Sequence, residues 1–285
     1  MPNTLDTRLH TSSEQAQSPV QHSPYRRWLS PGGSPWLDFY RDKPGFLLRF
    51  PGKADYRLSS SGQDVVCTPV PGVDRRTLEH LYRNQVYPLA LSHQGVLVLH
   101  ASALNVNGTG VALLGESGQG KSTLAGSFAV DGYLMIADDG LVLLPHEREL
   151  LLQPGPPSLR VWEDSRSALF GADSEAEADL AYTQKLRVQA GEQLHFETGL
   201  LPLRRIYLLG NDGSESPHVS VLQGSEALAE LVRHAYLLDT QAPQALASQL
   251  RELSSVLLAI EFYRLDYPRD YSRLAEVKDL ILSQC

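Results

Sequence analysis

The sequence predicts an α/β fold in which one large domain follows a small N-terminal β meander. Short apolar runs alternate with turn residues from Trp36 to Val70, which is typical of antiparallel strands joined by tight turns. Further along, apolar strand candidates flank a glycine-rich loop and one short helix, and helix-like stretches follow at 224–238, 243–259 and 271–283. Strands interspersed with helices in this way predict an α/β domain.

The bulk composition limits the classes of function. The chain has 285 residues, 42% hydrophobic and 20% charged, which is enough material for a buried core. The formal net charge of −8 disfavours a nucleic-acid partner, because phosphate backbones are bound through clustered Lys and Arg. No apolar run approaches the roughly 18 residues that cross a bilayer, so no membrane partner is expected. The two cysteines, Cys67 and Cys285, favour a reducing cytoplasm.

Three segments are predicted along the chain. Residues 1–24 are polar and rich in Ser, Gln and Pro, so we interpret them as a disordered tail. Residues 25–95 contain the meander and a helix that begins after Pro71-Gly72. Residues 96–285 form the second domain, with the glycine-rich loop and the C-terminal helices.

The most specific motif is GESGQGKS, from Gly115 to Ser122, which fits G-x-x-x-x-G-K-[ST] at every position. It follows an apolar strand candidate and precedes a helix, which is the context that a phosphate loop requires. Glycines let backbone N–H groups approach phosphate oxygens, and the helix N-terminus adds unpaired N–H groups. Lys121 supplies charge for the β- and γ-phosphates, and the Ser122 hydroxyl can ligate Mg²⁺.

Two adjacent aspartates, Asp138 and Asp139, follow the next strand candidate, and they come early because the intervening helix is short. Paired carboxylates beside a phosphate loop suit magnesium and proton chemistry, since one can hold the metal while the other accepts a proton. Neighbouring residues on an extended chain point in opposite directions. Both aspartates therefore reach one site only if the backbone turns, which Gly140 permits. An exposed Asp-Asp-Gly turn is the alternative reading.

Three basic residues are further candidates for phosphate or substrate contacts. Arg160 lies in SLRVW, after an irregular segment, and Lys185 and Arg187 lie in QKLRVQ. Phosphoryl transfer needs more positive charge than one lysine supplies. A solvated basic residue is the alternative for each.

VLHAS, followed by GVALLGESGQGKSTLAGSFAVDGYLMIADDG, resembles the catalytic core of HPr kinase/phosphorylase and its bacterial kinase relatives. The resemblance runs from about Leu97 to Leu144 and comprises a strand ending in His, a phosphate loop, a very short helix and Ala-Asp-Asp. It implies the mixed twisted sheet that this family shares with phosphoenolpyruvate carboxykinases, with ATP and Mg²⁺ as cofactors.

The resemblance also implies a role for each matching residue. Asp138 would be the general base toward an acceptor serine, and Asp139 with Ser122 would hold Mg²⁺. His100 matches the family's active-site histidine and joins Asp138 and Lys121 in the catalytic set, although its position alone favours a structural role. The residues that would bind ATP phosphates are Gly115, Glu116, Ser117, Gly118, Gln119, Gly120, Lys121, Ser122 and Thr123.

Departures from the family concern the substrate. Thr123 stands where the HPr enzymes typically carry Glu, and we find no counterpart of their LEIRGLG signature for phosphorylase activity and HPr docking. These differences favour a kinase-only relative that phosphorylates a serine of a peptide or small protein. Lasso-peptide kinases, which act on a ribosomally made precursor, are the characterised example of such relatives.

Two other functions and the oligomeric state stay open at this point. The chain can be a nucleotide-dependent module that binds a peptide without turnover, with an edge strand of the meander as the docking element. It can also be a kinase for a small-molecule hydroxyl. Asp138 distinguishes the first alternative, because a pure binder needs no base. A homo-oligomer is compatible with all three.

Overall fold

The computed structural model describes residues 7–30, 32–147, 149–171, 174, 177–180, 183–191, 193–210 and 213–285. Contacts divide the chain into two compact units, hereafter the N-terminal and the C-terminal unit. The N-terminal unit comprises Met1–Val96 and Tyr236–Leu246, and the C-terminal unit comprises Leu97–Ala235 and Ala247–Cys285. The sequence predicts that residues 236–246 belong to the second domain. In the structure these residues make their contacts within the N-terminal unit.

The N-terminal unit contains a six-stranded sheet in the order β1-β6-β5-β4-β3-β2. Its strands are β1 (Arg8–Thr11), β2 (Arg26–Leu29), β3 (Pro35–Asp42), β4 (Gly45–Phe50), β5 (Ala54–Leu58) and β6 (Asp64–Pro69). The strands from β2 to β6 pair antiparallel, as the meander pattern predicts. Phe39, Leu48 and Tyr56 are fully buried in its core.

A helical segment follows this sheet. It consists of α1 (Arg75–Leu81), a π-helical turn (Tyr82–Val86) and α2 (Tyr87–His93). The Asp74 carboxylate caps α1 by accepting a hydrogen bond from the Thr77 backbone N–H at 2.8 Å. The helix predicted after Pro71-Gly72 is therefore present, with the π-helical turn in its middle.

Strand β1 lies inside the predicted disordered tail, and the structure differs from the prediction there. It pairs in parallel with β6, and Arg8 Nε donates to Asp64 Oδ1 at 2.8 Å. All four residues of β1 are exposed, so the strand needs no apolar face. Its backbone N–H and C=O groups form hydrogen bonds with a strand that is distant in sequence. Residues 1–6 of the predicted tail lie outside the described residues.

Within the described residues, the C-terminal unit contains a nine-stranded mixed sheet in the order β10-β8-β9-β16-β12-β11-β7, with β18 beside β16 and β17 beside β18. Its strands are β7 (Leu97–Leu99), β8 (Ala101–Val106), β9 (Thr109–Leu114), β10 (Leu134–Ala137), β11 (Leu141–His146), β12 (Glu149–Gln153), β16 (Leu201–Leu209), β17 (His218–Val221) and β18 (Glu261–Asp266). A three-stranded sheet contains β13 (Ser158–Trp162), β14 (Glu177–Leu180) and β15 (Thr183–Gln189). The mixed α/β class is confirmed.

Helices cover both faces of the large sheet. They are α3 (Lys121–Val130), α4 (Glu163–Phe170), α5 (Gly224–His234), α6 (Pro243–Ala259) and α7 (Leu274–Leu282). Alternate residues of β9 enter different core clusters, since Leu113 packs with α3 and α7 while Leu114 packs with α5 and α6. No helix in the described part of the chain is long and apolar enough to cross a membrane.

The position of β8 determines where the polar residues meet. It pairs antiparallel with β9 on one side and with β10 on the other. The ends of β9 and β10 and the beginning of β8 therefore lie at the same edge of the sheet. The loop after Leu114, the turn after Ala137 and the residues around Ala101 converge at that edge.

Two segments contain strands that their local sequence pattern does not show. The sequence pattern of GVLVLHASAL predicts one apolar strand, but the run forms two strands, because His100 separates β7, which pairs with β11, from β8. The segment PGPPSLRVW, predicted to be irregular, contains β13, which is held by its antiparallel partner β15. Its prolines precede the strand and leave the ladder of β13 intact.

Candidate active site

The loop between β9 and α3, Gly115 to Gly120, is hereafter called the glycine loop. Gly115, Gly118 and Gly120 have φ values of 155°, 88° and 89°, in the region that favours glycine. A Cβ at Gly115 would lie 2.6 Å from Gln119 Oε1, which in turn accepts a hydrogen bond from the Glu116 N–H at 2.7 Å. Ser117 is exposed at the tip of the loop. The positive φ values at these three positions therefore favour glycine.

Lys121 folds back over the glycine loop. Its ammonium donates to the carbonyls of Gly115 at 2.7 Å and Glu116 at 3.2 Å, and the residue is only 6% exposed. Burial lowers the pKa of Lys121, while the charges of Asp139 and Asp138 oppose that shift. Two of its three N–H donors are used in this way, so the positive charge is held at the loop for an incoming anion.

Asp138 accepts hydrogen bonds from three directions. Its Oδ1 accepts from Ser102 Oγ at 2.6 Å and from Ser122 Oγ at 3.0 Å, and its Oδ2 accepts from the Arg160 backbone N–H at 3.1 Å. Burial, followed by the neighbouring charge of Asp139, raises the pKa of Asp138. The carboxylate is thus fixed beside the first turn of α3 and is a stronger proton acceptor than an ordinary aspartate.

Asp139 has the opposite electrostatic character. It adopts a left-handed backbone conformation with φ of 67°, which is the turn that brings both aspartates to one site. Its Oδ2 accepts from Arg160 Nη1 at 2.9 Å. Burial alone would raise its pKa, but the charges of Arg160 and Lys185 lower the pKa of Asp139 well below its usual range. This carboxylate stays ionised.

His100 supports the aspartate turn. Its Nδ1–H donates to the carbonyl of Asp139 at 3.0 Å, and its backbone N–H donates to the carbonyl of His234 at 2.8 Å. Burial and the charge of Lys121 lower the pKa of His100 to about 4, so the imidazole is neutral at pH 7. The structure therefore shows a positioning contact to the peptide group that joins Asp139 to Gly140.

The basic candidates occupy neighbouring strands. In the antiparallel pair of β13 and β15, Arg160 lies opposite Arg187, and Trp162 lies opposite Lys185. Arg160 contacts Asp139 directly, and the charge of Lys185 acts on both aspartates. The structure brings Arg160 and Lys185 to the aspartates, with Arg187 as the cross-strand neighbour of Arg160.

Thr123 takes part in a chain of hydroxyls. Its Oγ1 lies 2.9 Å from Ser165 Oγ, which lies 3.0 Å from the hydroxyl of Tyr271. Thr123 and Ser122 leave α3 in different directions, so the first faces α4 and the second faces Asp138. The chain links the first turn of α3 to the segment between β18 and α7.

Sequence reasoning missed Ser102 and a basic cleft on the other side of the glycine loop. Ser102 is the last residue of VLHAS, and the sequence gives it no role, because only the pairing of β8 with β10 brings its hydroxyl to Asp138. The cleft has a volume of about 420 Å³. Its lining includes three arginines and two glutamates beside the glycine loop, namely Arg233, Arg264, Arg269, Glu116 and Glu230, together with Gly118, Gln119 and Gly210.

The polar groups fit Mg²⁺ bound together with phosphates. Among the described residues, no group of three or more His, Cys, Asp or Glu side chains could hold a metal ion. Mg²⁺ commonly binds through one or two carboxylates, with water and substrate phosphates as the remaining ligands. The hydroxyl of Ser122 and the carboxylates of Asp138 and Asp139 provide such a partial oxygen set beside the glycine loop.

Comparison with known proteins adds little beyond this geometry. No protein-family model matches the chain, and no curated protein sequence matches it. Among solved structures, the HPr(Ser) kinase/phosphatase from Coxiella burnetii is similar over 66% of this chain and 95% of its own, with 13% identity and a TM-score of 0.35. A TM-score this low supports no argument about activity, so the function must be argued from the site's own residues.

Proposed function

We propose that the protein is an ATP-dependent kinase that transfers the γ-phosphoryl group to a serine hydroxyl of a peptide or small protein. The observation that carries this proposal is the contact between Asp138 and the Ser122 hydroxyl at 3.0 Å. It joins a buried carboxylate of raised pKa to the first turn of the helix that follows the glycine loop. A phosphate-binding loop alone would serve any nucleotide binder, whereas a proton acceptor beside it serves transfer to a hydroxyl.

In this proposal each residue of the site has a separate role in binding or in proton transfer. The glycine loop, Lys121 and the N-terminus of α3 hold the phosphates of ATP. Ser122 and Asp139 hold Mg²⁺, which would neutralise charge on the phosphates when bound. Asp138 accepts the proton of the acceptor serine. Arg160 keeps Asp139 ionised and oriented, and His100 holds the backbone that follows Asp139.

The same site supports a hydroxyl as the acceptor. A hydroxyl is the nucleophile that needs a carboxylate base, because its own pKa is far above neutrality. Ribosomally made peptide precursors that end in serine are the first acceptors to test. A free amino acid or sugar hydroxyl is the competing acceptor, and the same assay includes both.

The test incubates the protein with Mg²⁺ and labelled ATP in the presence of serine peptides, threonine peptides, free serine and free sugars. We expect phosphoserine on a peptide, detected by phosphopeptide mass spectrometry, and its loss in Asp138→Asn. Phosphorylation of free serine alone would assign a small-molecule kinase. Nucleotide binding without transfer to any of these acceptors would contradict the kinase proposal.

A further inference from the structure

The basic cleft lies on the side of the glycine loop opposite the aspartates. In the large sheet, β9 has β8 and then β10 on one side, and β16 and then β18 on the other. Asp138 and Asp139 follow β10, whereas Gly210 follows β16 and Arg269 follows β18. The two polar regions are thus separated across the edge of one sheet, with the glycine loop between them.

This separation orients a nucleotide bound at the glycine loop. The proposed function requires the γ-phosphoryl group to face Asp138, since the acceptor hydroxyl loses its proton there. The remainder of the molecule must then leave the loop in the other direction, toward β16 and β18. The cleft of about 420 Å³ lies on that side, and its volume is within the usual range for small-molecule sites.

Arg269 is held rigidly in the wall of this cleft. Its Nη1 donates to the carbonyl of Tyr267 at 3.2 Å and its Nη2 donates to the carbonyl of Gly210 at 3.0 Å. The guanidinium carbon lies 3.8 Å from the centroid of the Tyr267 ring, so one face of the guanidinium plane is covered by that ring. The hydrogen bonds of Arg269 among the described residues go to backbone carbonyls, so no carboxylate neutralises its charge.

The glycine loop and this wall are in direct contact. A Cβ at Gly120 would lie 3.4 Å from the Tyr267 hydroxyl and 3.8 Å from Arg269 Cδ. At the other end of the wall, a Cβ at Gly210 would lie 2.0 Å from Asp266 Oδ1, so a larger residue there would displace that carboxylate. The other cleft arginines differ from Arg269, because Arg264 pairs with Glu226 and Arg233 pairs with Glu230.

We propose that this cleft is the nucleoside subsite and that the guanidinium of Arg269 stacks on the purine ring of the nucleotide. A planar, weakly hydrated guanidinium that is already fixed by two carbonyls and an aromatic ring loses little freedom on stacking. The inference rests on the proposed function, because the direction of the γ-phosphoryl group defines which side the purine occupies.

The test compares ATP with inorganic triphosphate, each with Mg²⁺, by calorimetry. The wild-type protein is expected to bind ATP about tenfold or more tightly than triphosphate, because stacking contributes only to the former. Arg269→Ala should weaken ATP binding about tenfold and leave triphosphate binding within about twofold. Arg269→Lys should resemble Arg269→Ala, because lysine keeps the charge but lacks the planar face. Arg251→Ala, an exposed arginine of α6, is the matched control and should change neither.

Each outcome decides between two proposals. Equal wild-type affinities for ATP and triphosphate, or equal losses for both ligands in Arg269→Ala, would overturn the nucleoside subsite and leave the kinase proposal standing. Absence of wild-type binding to either ligand would overturn the proposed function and the subsite with it. The wild-type comparison requires no substitution, so it decides the question even if Arg269→Ala does not fold.

Discussion

At the level of single residues, Asp138 and Asp139 are neighbours in sequence with opposite electrostatic surroundings. Asp138 is bonded to the hydroxyls of Ser102 and Ser122, and burial raises its pKa. Asp139 is bonded to the guanidinium of Arg160, whose charge outweighs burial and lowers its pKa. A carboxylate of raised pKa suits proton transfer, and a fully ionised one suits cation binding.

The first prediction separates these two roles. Asp138→Asn keeps the size of the side chain but cannot accept a proton, so transfer should fall about 10²–10⁴-fold with little change in ATP affinity. Asp139→Asn should weaken magnesium-dependent nucleotide binding as well as transfer. Phosphopeptide mass spectrometry measures transfer, and nucleotide titrations with and without Mg²⁺ measure binding.

The outcome that would reverse the assignment is specific. Because Ser122 contacts Asp138 rather than Asp139, a loss of Mg²⁺ dependence in Asp138→Asn alone would make Asp138 the metal-binding residue. Full transfer activity in Asp138→Asn would remove it as the base. A loose transition state needs little early proton removal, so a loss near 10²-fold is compatible with the base role.

At the level of elements, α3 connects the glycine loop to the core. The helix is short, from Lys121 to Val130, and its buried face includes Leu124 and Phe128. Phe128 is fully buried in the cluster that also receives side chains from β9 and α7, whereas Val130 is 36% exposed at the C-terminal end of the same helix. The placement of Ser122 and Lys121 therefore depends on the packing of Phe128.

The second prediction compares these two positions. Phe128→Ala should lower the free energy of unfolding by about 3–5 kcal/mol, because it removes a buried ring and leaves a cavity. Val130→Ala, on the same helix, should change that free energy by no more than about 0.5 kcal/mol. Urea unfolding followed by circular dichroism measures both. Equal effects at the two positions would show that α3 does not pack on the sheet as described.

Local sequence patterns predict the elements around the glycine loop, but they do not predict strands that depend on long-range pairing. The apolar runs around the glycine loop correspond to β9 and β10, and the short helix is α3. The sequence does not predict β13, because prolines precede it and because its partner β15 lies far along the chain. The sequence does not predict β1 either, because its residues are mostly polar and its partner β6 lies far along the chain.

At the level of the whole molecule, the candidate site is assembled from distant segments. Ser102, Ser122, Asp138 and Arg160 meet because β8 lies between β9 and β10 and because β13 approaches Asp138. No local spacing encodes that arrangement. The phosphate-loop residues and the aspartates could be named from the sequence. The sequence gives no role to Ser102 and places Arg269 in no motif, and only the strand order brings these two residues to the glycine loop.

The third prediction follows from linkage between nucleotide binding and folding. A ligand that binds only the folded state stabilises it by about 2.7 kcal/mol when present at 100 times its Kd. The glycine loop, Lys121 and α3 all belong to the C-terminal unit, so MgATP should raise the unfolding temperature of that unit. Trp162 lies in the C-terminal unit, and a variant that retains it as the sole tryptophan reports this transition by fluorescence.

Lys121→Ala distinguishes phosphate binding from a general salt effect in the same experiment. The lysine supplies a charge-assisted contact to phosphate, so its removal should weaken MgATP affinity about 10–100-fold. At a fixed ligand concentration of about 100 times the wild-type Kd, the temperature shift should then fall by about half or more. Lys53→Ala, in the N-terminal unit, removes an equal charge and should retain the full shift. An identical shift in Lys121→Ala and wild type would show that nucleotide does not bind at the glycine loop. A shift with Mg²⁺ alone, unchanged by ATP, would attribute the stabilisation to the cation rather than to the nucleotide.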